Sequence, residues 1–370
     1  MVHQDMTNQV VGFDINRAFG EVHDFQSSYP LNLLSKLLEI DSGLEFLLYS
    51  AQKRKRLNML KESLGHPELR FQGYHSIKRL IQDRKLNIFH SNSEFCPDSK
   101  KIRKVLSVTN IGEPISDNID EDTDSKPKWI NSLKKFDRII CPSKALAKYL
   151  VDFLPDRAPD ISVIRPGPNI NTDIPIQDIN SVMQKFGIKG DYFLYVGKLI
   201  PGKGIPLLID AYIKYWGRSE AVPAMVFVSE QEKQVSAELL GNTALIESKG
   251  KFIITGEVSP DELAVLYASA RILFHPSPSD LYSQQIIEAM KMGTPVICSE
   301  DGFGTEIDHY AVRFVVSHEI DDVCAAIEAI EGNPDYRNKL IEGGKKFAAK
   351  YSWDNAAKEV LEIYSELLNR

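Results

Sequence analysis

Cysteine is sparse in this chain and scattered. The four residues, Cys96, Cys141, Cys298 and Cys324, form no C-x-x-C pair and no metal-ligand spacing. That excludes a disulfide framework or zinc ribbon and reads as reduced, mostly buried thiols. Long apolar runs are missing as well. None nears the ~18–20 residues that span a bilayer, and the opening Met1-Val-His-Gln-Asp5 lacks the apolar core of a secretory signal. The expectation is a cytoplasmic protein. An excess of positive charge is absent too: 44 Lys and Arg stand against 51 Asp and Glu, a net charge of −7 with pI near 5.7. A dedicated nucleic-acid binder needs a basic footprint, so none is expected. What is present is a chain of 370 residues, 43% hydrophobic and 26% charged. That is ordinary globular composition at a length that allows two domains, each burying a proper core.

Along the chain, apolar β-branched runs alternate with amphipathic helical stretches. The pattern predicts strands at 10–15, 44–50, 68–74, 86–91, 104–109, 138–143 and 161–166, most of them separated by helices such as 29–40, 52–64, 76–85 and 143–154. A breaker-rich loop at 167–175 follows, then a short helix, and the alternation restarts at Tyr192. The second half predicts strands at 192–197, 224–229, 251–255, 271–274, 295–299 and 312–316, with helices at 205–216, 260–270, 284–292 and 321–331. The tail reads as helix 334–351, Ser352 as a cap, and helix 354–368 with one apolar stripe of Ala356, Val360, Ile363, Tyr364, Leu367 and Leu368 that must cover something. Strands spaced by helices imply parallel sheets covered on both faces. The expected fold is therefore α/β, two doubly wound Rossmann-like domains facing a cleft, divided near residue 183.

Two segments carry chemistry. The first, Tyr192-Phe-Leu-Tyr-Val-Gly-Lys-Leu-Ile-Pro-Gly-Lys-Gly-Ile205, runs strand, glycine-rich loop, helix. Gly197 to Lys203 matches G-x-x-x-x-G-K, but Gly204 stands where a P-loop needs Ser or Thr for Mg²⁺, and no strand offers a Walker-B Asp. The shared physics remains: glycines that admit a ligand close to the backbone, a helix N-terminus, and Lys198 and Lys203 to neutralise a phosphate or diphosphate. The alternative is two solvated loop lysines. The second segment, His275-Pro-Ser-Pro-Ser-Asp280 through Glu288-Ala-Met-Lys-Met-Gly-Thr-Pro-Val296, puts Asp280 in a loop after a strand and Glu288 in the following helix. Ile286, Ile287 and Met290 point to the core, which turns Glu288 toward the helix N-terminus, suited to accept hydrogen bonds from a vicinal diol. Amides around Ser283, Gln284 and Gln285 can meet anionic oxygens.

With these blocks in view, the chain resembles the family 4 glycosyltransferases of the GT-B fold, a retaining class. The resemblance rests on Val-Gly-Lys-Leu-Ile-Pro-Gly-Lys-Gly (196–204), Gly-Glu-Val-Ser-Pro-Asp-Glu-Leu-Ala-Val-Leu-Tyr (256–267), Pro-Ser-x-x-Asp through Glu-Ala-Met-x-x-Gly-Thr-Pro-Val (276–296) and the terminal Tyr-Ser-Trp (351–353). In the first half it rests on Gly12-Phe-Asp-Ile15, Ile88-Phe-His-Ser91 and Asp137-Arg-Ile-Ile-Cys-Pro-Ser143. It implies an acceptor-binding domain at 1–183, a nucleotide-sugar donor domain at 184–353, and a last helix, 354–370, that crosses back to the first domain. It also implies roles. Gly197, Lys198 and Lys203 would hold the donor diphosphate with Ser283 and Gln284, and Glu288 would bind the donor ribose as second acid of an E-x7-E motif. Asp280 stands where the first acid, a Glu, contacts the transferred sugar; Asp280 and Lys203 are the catalytic candidates.

The departures are the shorter Asp280, Leu281-Tyr282-Ser283 in place of Gly-Phe-Gly, and Val108-Thr-Asn-Ile-Gly-Glu113 without the family's His. The glycine-rich loop after the first strand is reduced to Arg17-Ala-Phe-Gly-Glu21. His90 and Asn110 are left as acceptor-side candidates. Asp120-Glu-Asp-Thr-Asp124 contains D-x-D, yet it follows no apolar strand and lacks the Gly and Glu of a calcium loop, so it reads as a solvated acidic loop. No metal and no cofactor is expected. Between residues 51 and 105 there are 14 Lys and Arg against 5 Asp and Glu, a charge suited to an anionic membrane surface through 52–85 or simply a solvated face. The implied activity is sugar transfer from a nucleotide-diphosphate sugar to a glycan or lipid-linked acceptor. The rivals are a GT-B scaffold that lost its chemistry and a sucrose- or trehalose-type synthase with a small sugar acceptor.

Overall fold

A computed structural model describes residues 6, 8–19, 25–52, 54–82, 85–93, 95–109, 130–172, 176–217, 222–229, 252–316 and 319–369. The chain divides into two compact units, 1–167 with 352–370, and 168–351. The first holds β1 (Val10–Asp14), β2 (Glu45–Tyr49), β3 (Arg70–Gln72), β4 (Ile88–Ser91), β5 (Arg103–Ser107), β6 (Arg138–Cys141) and β7 (Ile161–Val163). They form one sheet in the order β3-β2-β1-β4-β5-β6-β7, with every pairing parallel. The second holds β8 (Tyr192–Val196), β9 (Ala224–Val228), β10 (Phe252–Ile254), β11 (Ile272–His275), β12 (Val296–Ser299) and β13 (Arg313–Val315). Their order is β10-β9-β8-β11-β12-β13, again all parallel.

Both sheets follow from the apolar runs. A parallel sheet is covered by its crossover helices on both faces, so its strands must be apolar on both; Tyr192–Val196 and Ile272–His275 are buried at every position. Each strand expected from the alternation is present, most of them trimmed: 68–74 contracts to Arg70–Gln72 and 161–166 to Ile161–Val163. In each unit the strand order reverses once, between β1 and β4 in the first and between β8 and β11 in the second. At such a reversal the crossovers leave in opposite directions and open a crevice at the carboxyl ends of the two strands.

The boundary falls at Gly167, ahead of the expected 183. The reason is the helix Ile176–Lys185, whose Ile179, Val182 and Met183 pack into the core of the second unit with Val265, Leu266 and Ile286. Its apolar face belongs to the sheet that follows it.

The tail does return to the first unit. The helix Pro334–Ala348 ends before the expected 351, and Ser352 caps Trp353–Leu368 by accepting a hydrogen bond from the Asn355 amide. The stripe Ala356, Val360, Ile363, Tyr364 and Leu367 is buried in the first core with Leu33, Leu37 and Val105. Gly167 lies beneath Trp353 so closely that a Cβ there would stand 2.4 Å from Trp353 Cδ1 and 2.7 Å from its amide nitrogen. Polar groups hold the helix too. Tyr364 Oη is 2.5 Å from His90 Nδ1, Ser107 Oγ is 2.8 Å from His90 Nε2, and Tyr29 Oη is 3.2 Å from the same Ser107 oxygen. Truncating Tyr364 to Phe would leave a buried ring nitrogen without its partner. Tyr364→Phe is expected to lower the unfolding free energy by about 1–3 kcal/mol, read from the midpoint of urea unfolding.

Candidate active site

The second unit gathers its chemistry at the β8/β11 reversal. Beyond β8 the chain turns through Gly197, at φ 144°, and the Tyr195 hydroxyl pins the loop by donating to the Lys198 carbonyl at 2.9 Å. A short 3-10 turn, Pro201–Lys203, leads to Gly204, which opens the helix Ile205–Trp216 with φ 74°. A side chain at 204 would meet Pro276, its Cβ lying 2.9 Å from the Pro276 carbonyl oxygen. The glycine thus lets the loop after β8 lie directly against the loop after β11.

That contact unites the candidates from separate segments. Lys203 Nζ stands 2.5 Å from Asp280 Oδ1, and both side chains are only 19% exposed. His275, which closes β11, brings Nε2 to 3.1 Å from Asp280 Oδ2. Burial opposes charge on Asp280, but His275 and Lys203 outweigh it and hold the carboxyl well below the usual carboxylate range. The Asp280 backbone is fixed from the far side. Phe303 donates its amide to the Asp280 carbonyl at 2.6 Å, and a Cβ on Gly302 would come within 2.5 Å of that oxygen.

The helix Gln284–Met292 follows, ended by Gly293 at φ 82°. Ser283 caps it, its hydroxyl accepting from the Ile286 amide at 3.2 Å. Ile286, Ile287 and Met290 enter the core, as the spacing predicts. Glu288 is 3% exposed. Its Oε1 accepts from the Asn169 amide at 2.9 Å and from Gln284 Nε2 at 3.1 Å, while the Tyr282 hydroxyl donates to Gln284 Oε1 at 2.6 Å and fixes which way that amide faces. Burial raises the Glu288 carboxyl to about 7, against the hydrogen bonds that favour its charge. The buried Tyr267 hydroxyl is pushed up by burial and by Glu288 nearby.

Asp280, Ser283, Gln284 and Glu288 thus occupy one loop-and-helix unit, met at Asp280 by Lys203 from the loop of Gly197 and the exposed Lys198. His90 does not join them. It is fully buried in the first unit, both ring nitrogens are taken by hydroxyls, and burial drives it down to about 3, so it serves the core as a neutral ring. Asn110 and the acidic run 120–124 lie outside the described residues. Of the basic stretch, Lys78, Arg79 and Lys85 are exposed, whereas the side chains of residues 53–56 are outside the description. Among the described residues no three His, Cys, Asp or Glu are grouped so as to hold a metal ion, and no helix is long and apolar enough to cross a membrane. The sequence reading assigned no role to His275 or Asn169. A histidine closing a strand just ahead of the Asp280 loop was a visible signal; a backbone amide carries none.

Residues 178–347 match the family model for glycosyl transferases group 1. An uncharacterized glycosyltransferase of Methanocaldococcus jannaschii is 28% identical over 235 residues, 61% of this chain and 59% of that protein. The aligned stretch is therefore under two thirds of that relative's length. Two solved structures share the fold. A glycosyltransferase from Rickettsia africae has a TM-score of 0.74 at 15% identity, covering 98% of this chain and 99% of its own. Anabaena HepE, solved in complex with UDP-glucose, has a TM-score of 0.74 at 16% identity, covering 96% and 99%. Residues 178–347 thus carry the match to the group 1 glycosyl transferases, and the two parallel-sheet domains have the GT-B fold.

Proposed function

We propose that the protein moves a sugar from a nucleoside-diphosphate sugar to a glycan or lipid-linked acceptor, with retention at the anomeric carbon and without a metal ion. The observation that carries this reading is the union of Lys203, Asp280 and the helix bearing Glu288 at one sheet reversal. The UDP-glucose complex of the Anabaena neighbour supports the donor class. As the bond between sugar and diphosphate breaks, negative charge grows on the leaving oxygens and positive charge on the ring. Lys198, Lys203 and the amides that open the helix at Gln284 lie where the first can be neutralised. Asp280, a buried carboxylate kept ionised, faces the second. Glu288 accepts the ribose hydroxyls. The basic stretch 52–85 suits an acceptor presented at an anionic membrane surface, which places the protein peripherally on its cytoplasmic side.

The decisive experiment incubates the protein with UDP-, GDP- and ADP-sugars and follows nucleotide release and thermal stabilisation, which a ligand produces only by binding the folded state. One donor class is expected to stabilise the protein and turn over equally well with and without EDTA. No stabilisation by any donor would leave a scaffold that kept the fold. Full loss in EDTA, restored by Mn²⁺, would overturn metal independence.

Lys203→Ala is expected to lower kcat/KM for the donor by about a hundredfold, the scale on which one preorganised charge contact acts. Steady-state kinetics with the donor varied would read it. Glu288 gives a pH signature. With its carboxyl near 7 and ribose hydroxyls favouring the ionised form, nucleoside-diphosphate affinity should rise from pH 6 to pH 8, and binding should release a proton near pH 7. Calorimetry in buffers of different ionisation enthalpy detects the proton. Glu288→Gln should abolish this component and leave only the titration of the nucleotide itself.

A further inference from the structure

His275 is set with more care than a strand-closing residue needs. It pairs in register with Cys298 of β12, so the sheet fixes its backbone, and its ring is 7% exposed. Nε2 lies 3.1 Å from Asp280 Oδ2, off the line of a well-formed hydrogen bond, and makes no other among the described residues. A buried ring nitrogen held against a single carboxylate loses hydration that only this contact repays.

The Asp280 backbone cannot adjust. Gly302 and the Phe303 amide close on its carbonyl, and Pro276, earlier in the same loop, rests on Gly204. With the backbone pinned, two side-chain torsions decide where the carboxylate sits. Lys203 reaches Oδ1 on a flexible four-carbon stem and cannot by itself fix them. The imidazole is rigid and stands on a strand, so it supplies the second point. A carboxylate has about four lone-pair sites, so sugar hydroxyls can still approach between Lys203 and His275.

We propose that His275 is a positioning residue: it fixes the Asp280 carboxylate, and through it the Lys203 ammonium, in the orientation that sugar transfer needs. The proposal rests on the glycosyl-transfer reading above. It accounts for how an aspartate, one methylene shorter than glutamate, keeps a defined place in this site.

The test uses the full chain as wild type, His275→Phe, His275→Gln, Asp280→Ala and the double variant His275→Phe with Asp280→Ala. His275→Phe is expected to lower kcat by about 10–100-fold, the cost of a reacting group held loosely, while KM for the donor changes less than about threefold. His275→Gln, with an amide at similar reach, should recover most of that loss. The double variant should be no slower than Asp280→Ala, since both changes act through one carboxylate. Unchanged kcat in His275→Phe, or losses that multiply in the double variant, would overturn the proposal. So would a lowered melting temperature with normal kcat, which marks a purely structural ring. A second arm needs no donor. The ring-nitrogen NMR shifts of His275 should move on Asp280→Asn, and shifts that stay put would show that the contact does not hold. If wild type turns over no donor, the glycosyl-transfer reading fails and this arm alone decides whether His275 holds Asp280.

Discussion

The constraint on which the rest depends is that a parallel strand buried on both faces leaves little room for polar chemistry along its length. Tyr192–Val196 and Ile272–His275 are walled in by neighbouring strands and helices, so charged groups must gather beyond their carboxyl ends. There the chain has to turn, and turning requires glycine at particular places. Gly204 adopts a left-handed conformation and also lies against Pro276. The same residue thus meets the demands of the turn and of contact between two loops, and that contact is what brings Lys203 to Asp280.

Burial then decides how the charges behave. Asp280 and Glu288 both lose water, yet they respond in opposite ways. Asp280 has Lys203 and His275 beside it and is held ionised; Glu288 has amides and a tyrosine and is raised toward neutrality. Two carboxyls from one short segment are thereby separated in acidity by what surrounds them, which is how one site assigns different tasks to chemically similar groups. The first unit uses its buried polar groups otherwise. His90, Ser107, Tyr29 and Tyr364 satisfy one another and fasten the last helix to the sheet.

Much of this was legible in the sequence because period and spacing are local properties. The strands, the helix Gln284–Met292 with its inward face, and the cap at Ser352 could be read from residue order; that the tail's apolar stripe returns to the first unit was implied only by the family resemblance. The unit boundary was harder. The breakers at 167–175 were visible, but whether Ile179, Val182 and Met183 face backward or forward along the chain depends on partners far away in sequence. His90 misled for a related reason: a histidine near a strand end looks available until Tyr364, 274 residues on, covers it. The pairing of Lys203 with Asp280 was not readable either, since it requires two loops to meet.

The amide of Asn169 adds a consequence of its own. It lies just past Gly167, where the chain leaves the first unit, and it is tied to Glu288. Glu288 is therefore also an anchor for the chain where the second unit begins. Ionising Glu288 strengthens the acceptor to which the Asn169 amide donates, so the charge of one buried carboxyl and the fixing of the second unit's first residues share one source of free energy.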